Sequence, residues 1–383
     1  MGFAKPIEQY LFGNLLIRIH GFMYLKDIIR GNDNMKKKRM ISLGIIASIM
    51  LTFIGCGNEK SNNKMIEKEP KKQAEEFETA KIKAGYMPNL GSAALYIVAE
   101  KNGYFKEMGL EVETIEFQSG PPEIAAMASG DIQICQIGHG AHALCAEGQA
   151  EIFQIVSTSL ADAIIGNKEK GIESIKDLKG KRVATSAGTS AEAIFHIALE
   201  SEGLTMDDVE TVEMDTNGMV SAMVSGSVDA CATWAPNNKV IEKQLGDNAV
   251  ILATNEEYVD KVTFPDSFAT TKEFAEKNHD VLVRFTRALQ KAMDYRAENI
   301  EEVAKWTAQA CEADEETMLE TTDTGNWITS DFVAKGLKDG TIRKYYENQQ
   351  KVFLDSERLT EEVSVDDYIL FDIMQEAYDE NHK

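Results

Sequence analysis

Hydrophobic and polar positions from Lys81 onward switch repeatedly between two periods. "KIKAGYM" (81–87) reads as a strand, and "LEVETIEF" (110–117) alternates with period two, as a half-buried strand does. "IQICQIG" (132–138) is a third strand-like run. Between them, "SAALYIVAEKNG" (92–103) and "PPEIAAMASG" (121–130) carry helical spacing, each closed by a glycine, the second opened by proline. The order then recurs: strand 181–187, helix 190–203, strand 209–214, helix 218–226, strand 228–234. In the helix "SAEAIFHIALESEG", Thr189 and Glu192 have capping-box spacing and Gly203 suits the position just past the end.

The recurrence is also literal. "AMASGDIQIC" (126–135) returns as "AMVSGSVDAC" (222–231) with Ala, Met, Ser, Gly and Cys at five matched places. Ser92 maps to Ser190, Val112 to Val209 and Ala126 to Ala222, at offsets of 96 to 98. Three collinear echoes at nearly one offset predict two α/β units of the same βαβαβ plan, each a mainly parallel sheet flanked by helices. After about Val262 the chain reads as mostly helical, with apolar positions at helical spacing such as Val281, Phe285, Leu289 and Met293, and no third α/β unit follows. This helical segment is expected to cover the first unit. The expected boundaries are 81–165 plus 264–383 for one lobe and 166–263 for the other.

Charge separates the start of the chain from the rest. The first 55 residues carry eight Lys/Arg and three Asp/Glu, so from Cys56 onward 32 basic groups face 60 acidic ones, a net charge of −28. That balance argues against a nucleic-acid partner. The basic start is local: Lys36, Lys37, Lys38 and Arg39 precede an uncharged, largely apolar run over 41–55, the layout of a secretory signal peptide over 35–55. The run is short for a membrane span. Its "FIGC" end resembles the lipobox of bacterial lipoproteins, which makes Cys56 the expected lipidated residue. Residues 56–80 are polar and charged, as a flexible tether would be. Residues 1–34 stand upstream of a complete signal, so translation is expected to start at Met35, with 1–34 an extension outside the true chain.

The chemistry is placed by the strand ends, since ligands of open parallel sheets sit beyond the carboxyl ends of the strands. Those ends carry "PNLGS" (88–92), "GHGAH" (138–142), "SAGTS" (186–190), "DTNG" (215–218) and "WAPNN" (234–238). Two of these loops lead into helix N-termini, whose free N–H groups suit a polar or anionic group. Gly188 would let the backbone approach closely. None of the five loops contains Lys or Arg, so a neutral or cationic nitrogen heterocycle stacked on Trp234 and paired to an Asp fits the electrostatics at least as well as an anion. Asp162, Asp215 and Asp266 are candidates for the cleft, although most carboxylates in so acidic a chain are simply solvated.

Other chemistries find little support. His139 and His142 have i, i+3 spacing but no carboxylate or Cys cluster beside them in sequence, so no metal site is expected. Cys135 and Cys231 fall in apolar runs and read as small buried hydrophobes. No G-x-S-x-G, H-E-x-x-H or G-x-x-x-x-G-K-[ST] occurs.

"AEKNGYFKEMGLEVE" (99–113), "ASGDIQI" (128–134), "IKDLKGKRVAT" (175–185), "SGSVDACATWAP" (225–236) and the helix after "FATTKEFAEKN", in that order, resemble the nitrate/sulfonate/taurine and thiamine-pyrimidine (NMT1/THI5-like) solute-binding proteins of ABC importers. The resemblance spans roughly residues 81–300. It implies a type II periplasmic-binding-protein fold whose two lobes close on one small molecule, with no catalysis and no cofactor. It also implies a membrane permease with its cytoplasmic ATPase as partner, a monomeric chain, and a site on the extracytoplasmic face of a bacterial cell membrane, held by lipid on Cys56. Ligand contacts are implied at Asn89, Gly91 and Ser92, at His139, at Ser186, Gly188, Thr189 and Ser190, and at Trp234. Asn217 joins them through its place in "DTNG". The alternative is a biosynthetic enzyme on the same fold, of pyrimidine or menaquinone-pathway type.

Overall fold

The computed structural model describes residues 77–383. The expected upstream extension, signal peptide and lipidated Cys56, and the expected tether as far as residue 76, lie outside the described residues.

In chain order the first elements are β1 (Ala80–Tyr86), α1 (Leu90–Lys101), α2 (Tyr104–Glu107), β2 (Leu110–Glu116), α3 (Gly120–Ser129), β3 (Ile134–Ile137), α4 (His142–Ala146) and β4 (Glu151–Ser159). There follow β5 (Asp162–Asn167), β6 (Arg182–Thr185), α5 (Ser190–Ser201), β7 (Glu210–Glu213), α6 (Thr216–Ser225), β8 (Ala230–Trp234), α7 (Asn237–Leu245) and β9 (Ala249–Thr254). The chain continues through β10 (Pro265–Thr270), α8 (Lys272–Lys277), α9 (His279–Glu298), α10 (Ile300–Ala310), α11 (Glu315–Leu319) and β11 (Gly325–Asn326). It ends with α12 (Ser330–Asp339), α13 (Thr341–Asp355) and α14 (Phe371–Asn381).

Two sheets form, with strand orders β11-β4-β10-β3-β1-β2 and β7-β6-β8-β5-β9. In each, the first three strands of the unit pair in parallel in the order second–first–third. Next to the third strand lies one antiparallel strand, β10 in the first sheet and β5 in the second. The repeated phrase is kept in register: Cys135 of β3 pairs with Gly85, and Cys231 of β8 pairs with Ala184. Gly130 and Gly226 end their helices in the left-handed region, at φ 84° and 69°, with N–H groups returned to Ala126/Met127 and Ala222/Met223. Met127 and Met223 are buried in the cores.

Burial explains the layering. Of the stripe expected at Val281, Phe285, Leu289 and Met293, the last three are fully buried on α9 and Val281 is partly buried. Phe285 meets Phe105 at 5.2 Å and Phe153 at 6.2 Å between ring centroids, and Tyr96 meets Phe268 at 5.1 Å. The C-terminal helices thus close over the first sheet. The second sheet is packed on both faces: Phe195, Leu199 and Trp234 belong to one apolar cluster, Met219, Met223 and Cys231 to another.

Two boundaries differ from the sequence reading. β5 belongs to the second sheet, so the first crossover falls at Leu160–Ala161 rather than after Ile165. "EIFQIVSTSLADAIIGN" has no Gly, Pro or Asn at the change of sheet, so no strong turn signal marks it. Ordered packing also begins before residue 81: the Phe77 ring lies 5.0 Å from the Arg284 guanidinium, and Ala80 already opens β1. Among the described residues, no helix is long and apolar enough to cross a membrane.

Candidate functional site

Both repeats deliver loops to one cavity between the sheets. Asn89 caps α1 by accepting from Ser92 N–H at 2.9 Å, and the Ser92 hydroxyl accepts from Met87 N–H at 2.9 Å. These local bonds hold "PNLGS" as a fixed rim. Opposite, α5 starts at Ser190. The expected capping box is replaced there: the Thr189 hydroxyl donates to Ser186 C=O at 2.6 Å, and the Glu192 carboxylate accepts from Gly188 N–H at 2.7 Å. Gly188 is left-handed at φ 75° and lies against Pro121. The closest backbone approach belongs to another glycine, since a Cβ on Gly140 would stand 2.1 Å from the Thr189 carbonyl carbon.

Asp162, at the crossover, is 1 % exposed and gathers groups from both sides. Its Oδ1 accepts from the Ser190 hydroxyl at 2.5 Å, its Oδ2 lies 3.1 Å from His139 Nε2 and from Asn255 Nδ2. Its own N–H donates to Asn255 Oδ1 at 2.7 Å. His142 turns elsewhere: its Nδ1 lies 3.0 Å from Gln349 Oε1, whose amide N–H is committed to His139 C=O, so Nδ1 carries the proton. Burial holds the His142 imidazole neutral, its pKa lowered to about 3. The two histidines therefore serve different networks.

The cavity encloses an empty volume of about 640 Å3, its mouth included. Of the sequence-predicted residues, Asn89, Gly91, Ser92, Thr189, Ser190 and Trp234 line it. His139, Ser186, Gly188 and Asn217 do not. His139 is buried behind Asp162 and packs 4.9 Å from the Phe264 ring. Ser186 is held in the loop behind Thr189, and Asn217 is exposed, with its amide donating to Gln118 at 3.2 Å. Asp162 and Asp266 line the cavity, whereas Asp215 is the N-cap of α6. Gln136, Thr321, Thr324 and Trp327 also line it and carried no signal. Gln136 lies inside β3, and the other three come from the helical segment, where only a long-range fold could bring them in.

Electrostatics are dominated by burial. Asp266 accepts from the Ser157 hydroxyl at 2.9 Å. Desolvation raises its pKa from 3.8 to about 7, with Asp162 adding to the rise and His139, Ser157 and Arg296 opposing it. Arg296 is fully buried behind the cavity, its guanidinium 4.7 Å from the Trp327 ring and one N–H donated to Val156 C=O at 2.5 Å. Among the described residues no cluster of three His, Cys, Asp or Glu could hold a metal ion. Cys135, Cys145 and Cys231 are buried free thiols, and Cys311 is partly buried and free.

Two α/β lobes of one topology, joined by two crossovers and lining one cavity together, define the periplasmic-binding-protein fold. The chain belongs to the NMT1/THI5-like family, whose model matches residues 91–303. A binding protein of Brucella abortus is 28 % identical over 291 residues, 76 % of this chain and 90 % of that one. A Bacillus subtilis protein named for binding aliphatic sulfonates is 26 % identical over 306 residues, covering 77 % and 86 %. Two solved structures share the fold. The ligand-binding component of an ABC-type import system from Staphylococcus aureus, with zinc bound, has a TM-score of 0.63 at 14 % identity, covering 78 % and 98 %. A desulfurization enzyme has a TM-score of 0.57 at 15 % identity, covering 79 % and 99 %.

Proposed function

We propose that the protein is an extracytoplasmic solute-binding lipoprotein of a bacterial ABC importer. It captures one small organic molecule between its lobes and delivers it to a membrane permease served by a cytoplasmic ATPase. Sulfonate-, nitrate- or taurine-type and thiamine-pyrimidine-type molecules are the candidate ligands that the family resemblance offers, and the relative named for binding aliphatic sulfonates supports the first. The observation that carries the reading is the cavity itself: Asn89, Ser92, Asp266 and Trp327 face it from the first lobe, Asp162, Ser190 and Trp234 from the second sheet and its crossover. A molecule held there bridges both lobes, so its binding free energy favours their closed arrangement. Asn89, Gly91, Ser92, Thr189, Ser190 and Trp234 are the proposed contacts.

Binding without turnover is the favoured outcome because the nearest approach to a nucleophile lacks its base. The Ser190 hydroxyl donates to Asp162, and His139 meets the same carboxylate on its other oxygen, so no imidazole is positioned to take the serine proton. The proposed lipid anchor rests on the "FIGC" reading of Cys56, and the proposed monomeric state on the family resemblance.

Thermal-shift screening of the full chain against sulfonates, nitrate and nitrogen heterocycles tests the role. One ligand class should raise Tm with 1:1 stoichiometry and no product. Steady product formation, or no shift with any class or with a total metabolite extract, defeats it. Metabolic labelling with a lipid precursor tests the anchor, and a Cys56→Ser variant that still takes up lipid refutes it.

A further inference from the structure

The cavity is unbalanced in its hydrogen bonding. Most of its side-chain donors are already turned to the protein. The Thr189, Thr321 and Thr324 hydroxyls donate to the carbonyls of Ser186, Met318 and Thr321, Ser190 donates to Asp162, and the Trp327 indole N–H donates to Thr322 C=O. No Lys or Arg lines the cavity. The donors that remain are neutral: the Asn89 amide, the Ser92 and Ser159 hydroxyls, which only accept within the protein, the Trp234 indole N–H and the first N–H groups of α1.

Asp162 is fully engaged, but two other acceptors are in the opposite condition. Gln136 is buried, and its amide N–H is committed to Ile137 C=O at 3.2 Å, which leaves Oε1 without a partner. Asp266 takes the Ser157 hydroxyl on Oδ2. Its Oδ1 lies at the junction of the lobes, where a Cβ on Gly138 would be 3.8 Å from it and 3.6 Å from the Ser190 hydroxyl. A buried acceptor without a donor is costly, so a ligand that supplies N–H groups gains what an oxyanion cannot. An oxyanion would meet the Asp162 carboxylate, and Asp266 once ionised, in a partly desolvated site. Trp234 and Trp327, one from each lobe, offer aromatic surface to a flat or cationic body.

Resting on the solute-binding reading above, we propose that Asp266 and Gln136 are the specificity-determining residues of this cavity. Its ligand is then a flat organic molecule presenting N–H donors, cationic or able to take a proton, and not a sulfonate or nitrate. The groups facing Asp266 are His139 after β3, Ser157 on β4, Asp162 on β5, Arg296 on α9 and, through Ser267, Tyr346 on α13. Burial leaves Asp266 carrying its proton over much of the neutral range, and a cationic N–H brought against Oδ1 favours the ionised form. Binding a cation therefore releases a proton below pH 7, and about half of one at pH 7 itself.

The test is isothermal titration of the full chain in detergent with benzamidine, 2-aminopyrimidine and 4-aminopyridine on one side and ethanesulfonate, taurine and nitrate on the other. At least one donor probe should bind 1:1 and the oxyanions should not. Asp266→Asn should weaken binding at least tenfold and Gln136→Leu several-fold. For a cationic probe, the apparent enthalpy in Tris and in phosphate should differ by the ionisation heat of a released proton. Should Asp266→Asn fail to fold, Gln136→Leu and the proton count decide. Saturable binding of an oxyanion, weakened by Trp234→Ala and indifferent to Gln136→Leu, overturns the specificity while the solute-binding role stands. If no probe binds, the molecule retained from a metabolite extract decides: an N–H donor supports the proposal and an oxyanion refutes it. Retention of nothing defeats the solute-binding role itself.

Discussion

The two lobes are near copies in topology and opposites in what their third strands deliver. β3 and β8 sit at matched register and follow helices ended by matched glycines. Yet β3 leads into "GHGAH", which gives the cavity only Gly138 and Ala141 while its other residues serve structure: His139 backs Asp162, Gly140 lies on the Thr189 backbone and His142 is tied to α13 through Gln349. β8 leads into "WAPNN", whose Trp234 faces the cavity. A duplicated scaffold fixes where loops emerge and leaves their chemistry free to diverge. One copy's loop ties the lobes together, and the other's presents Trp234 to the cavity.

That contrast can be broken most severely at its shared base. Met127→Ala and Met223→Ala should each cost about 2–5 kcal/mol, as buried methionines in well-packed cores do, read by denaturant unfolding. A large cost at one and none at the other would deny that the repeats are equivalent. Gly140→Ala comes next. Its Cβ would collide with the Thr189 carbonyl, which cannot give way as a side-chain tip could. Overpacking of about 1–3 kcal/mol at this junction should weaken ligand affinity by about ten- to a hundredfold and expand the molecule in small-angle scattering. Unchanged affinity would show that "GHGAH" does not govern closure.

The pH dependence is expected to be smaller and of mixed sign. With its pKa raised from 3.8 to about 7, Asp266 keeps a proton in the folded state that the unfolded chain has lost, so its contribution falls as pH rises through that window. His142, lowered from 6.5 to about 3, does the reverse: the unfolded chain takes up a proton that the folded one refuses, so stability is lost as pH falls below 6.5. Thermal melts of wild type and Asp266→Asn between pH 4 and 7 separate the two, and only the wild type should carry the Asp266 slope. Smallest is the rim. Gln118 accepts from the Thr216 hydroxyl at 3.4 Å and the Asn217 amide at 3.2 Å across the cleft, in an exposed setting. Gln118→Ala should weaken binding by about 0.5–1 kcal/mol in titration calorimetry, and a larger loss would make the rim a contact in its own right.

The sequence by itself determined the two α/β units, the helical cover of the first and the glycine-ended helices. These follow from local period and turn chemistry, which act over a few residues. It also placed Asn89, Ser92, Thr189, Ser190 and Trp234 at strand ends, where topology sends them to one cavity. Tertiary structure alone decided the rest. β5 left the first lobe because its apolar run satisfies either sheet, and only pairing with β8 and β9 assigns it. His139 withdrew from the cavity because a buried carboxylate at Asp162 needs donors more than the cavity needs a histidine. Asp266 was one carboxylate among many in the sequence, and Gln136 and Trp327 were unremarked positions within a strand and a helical region. Their exposure to the cavity, and the charge state that burial imposes on Asp266, depend on neighbours tens to hundreds of residues away, which no local pattern encodes.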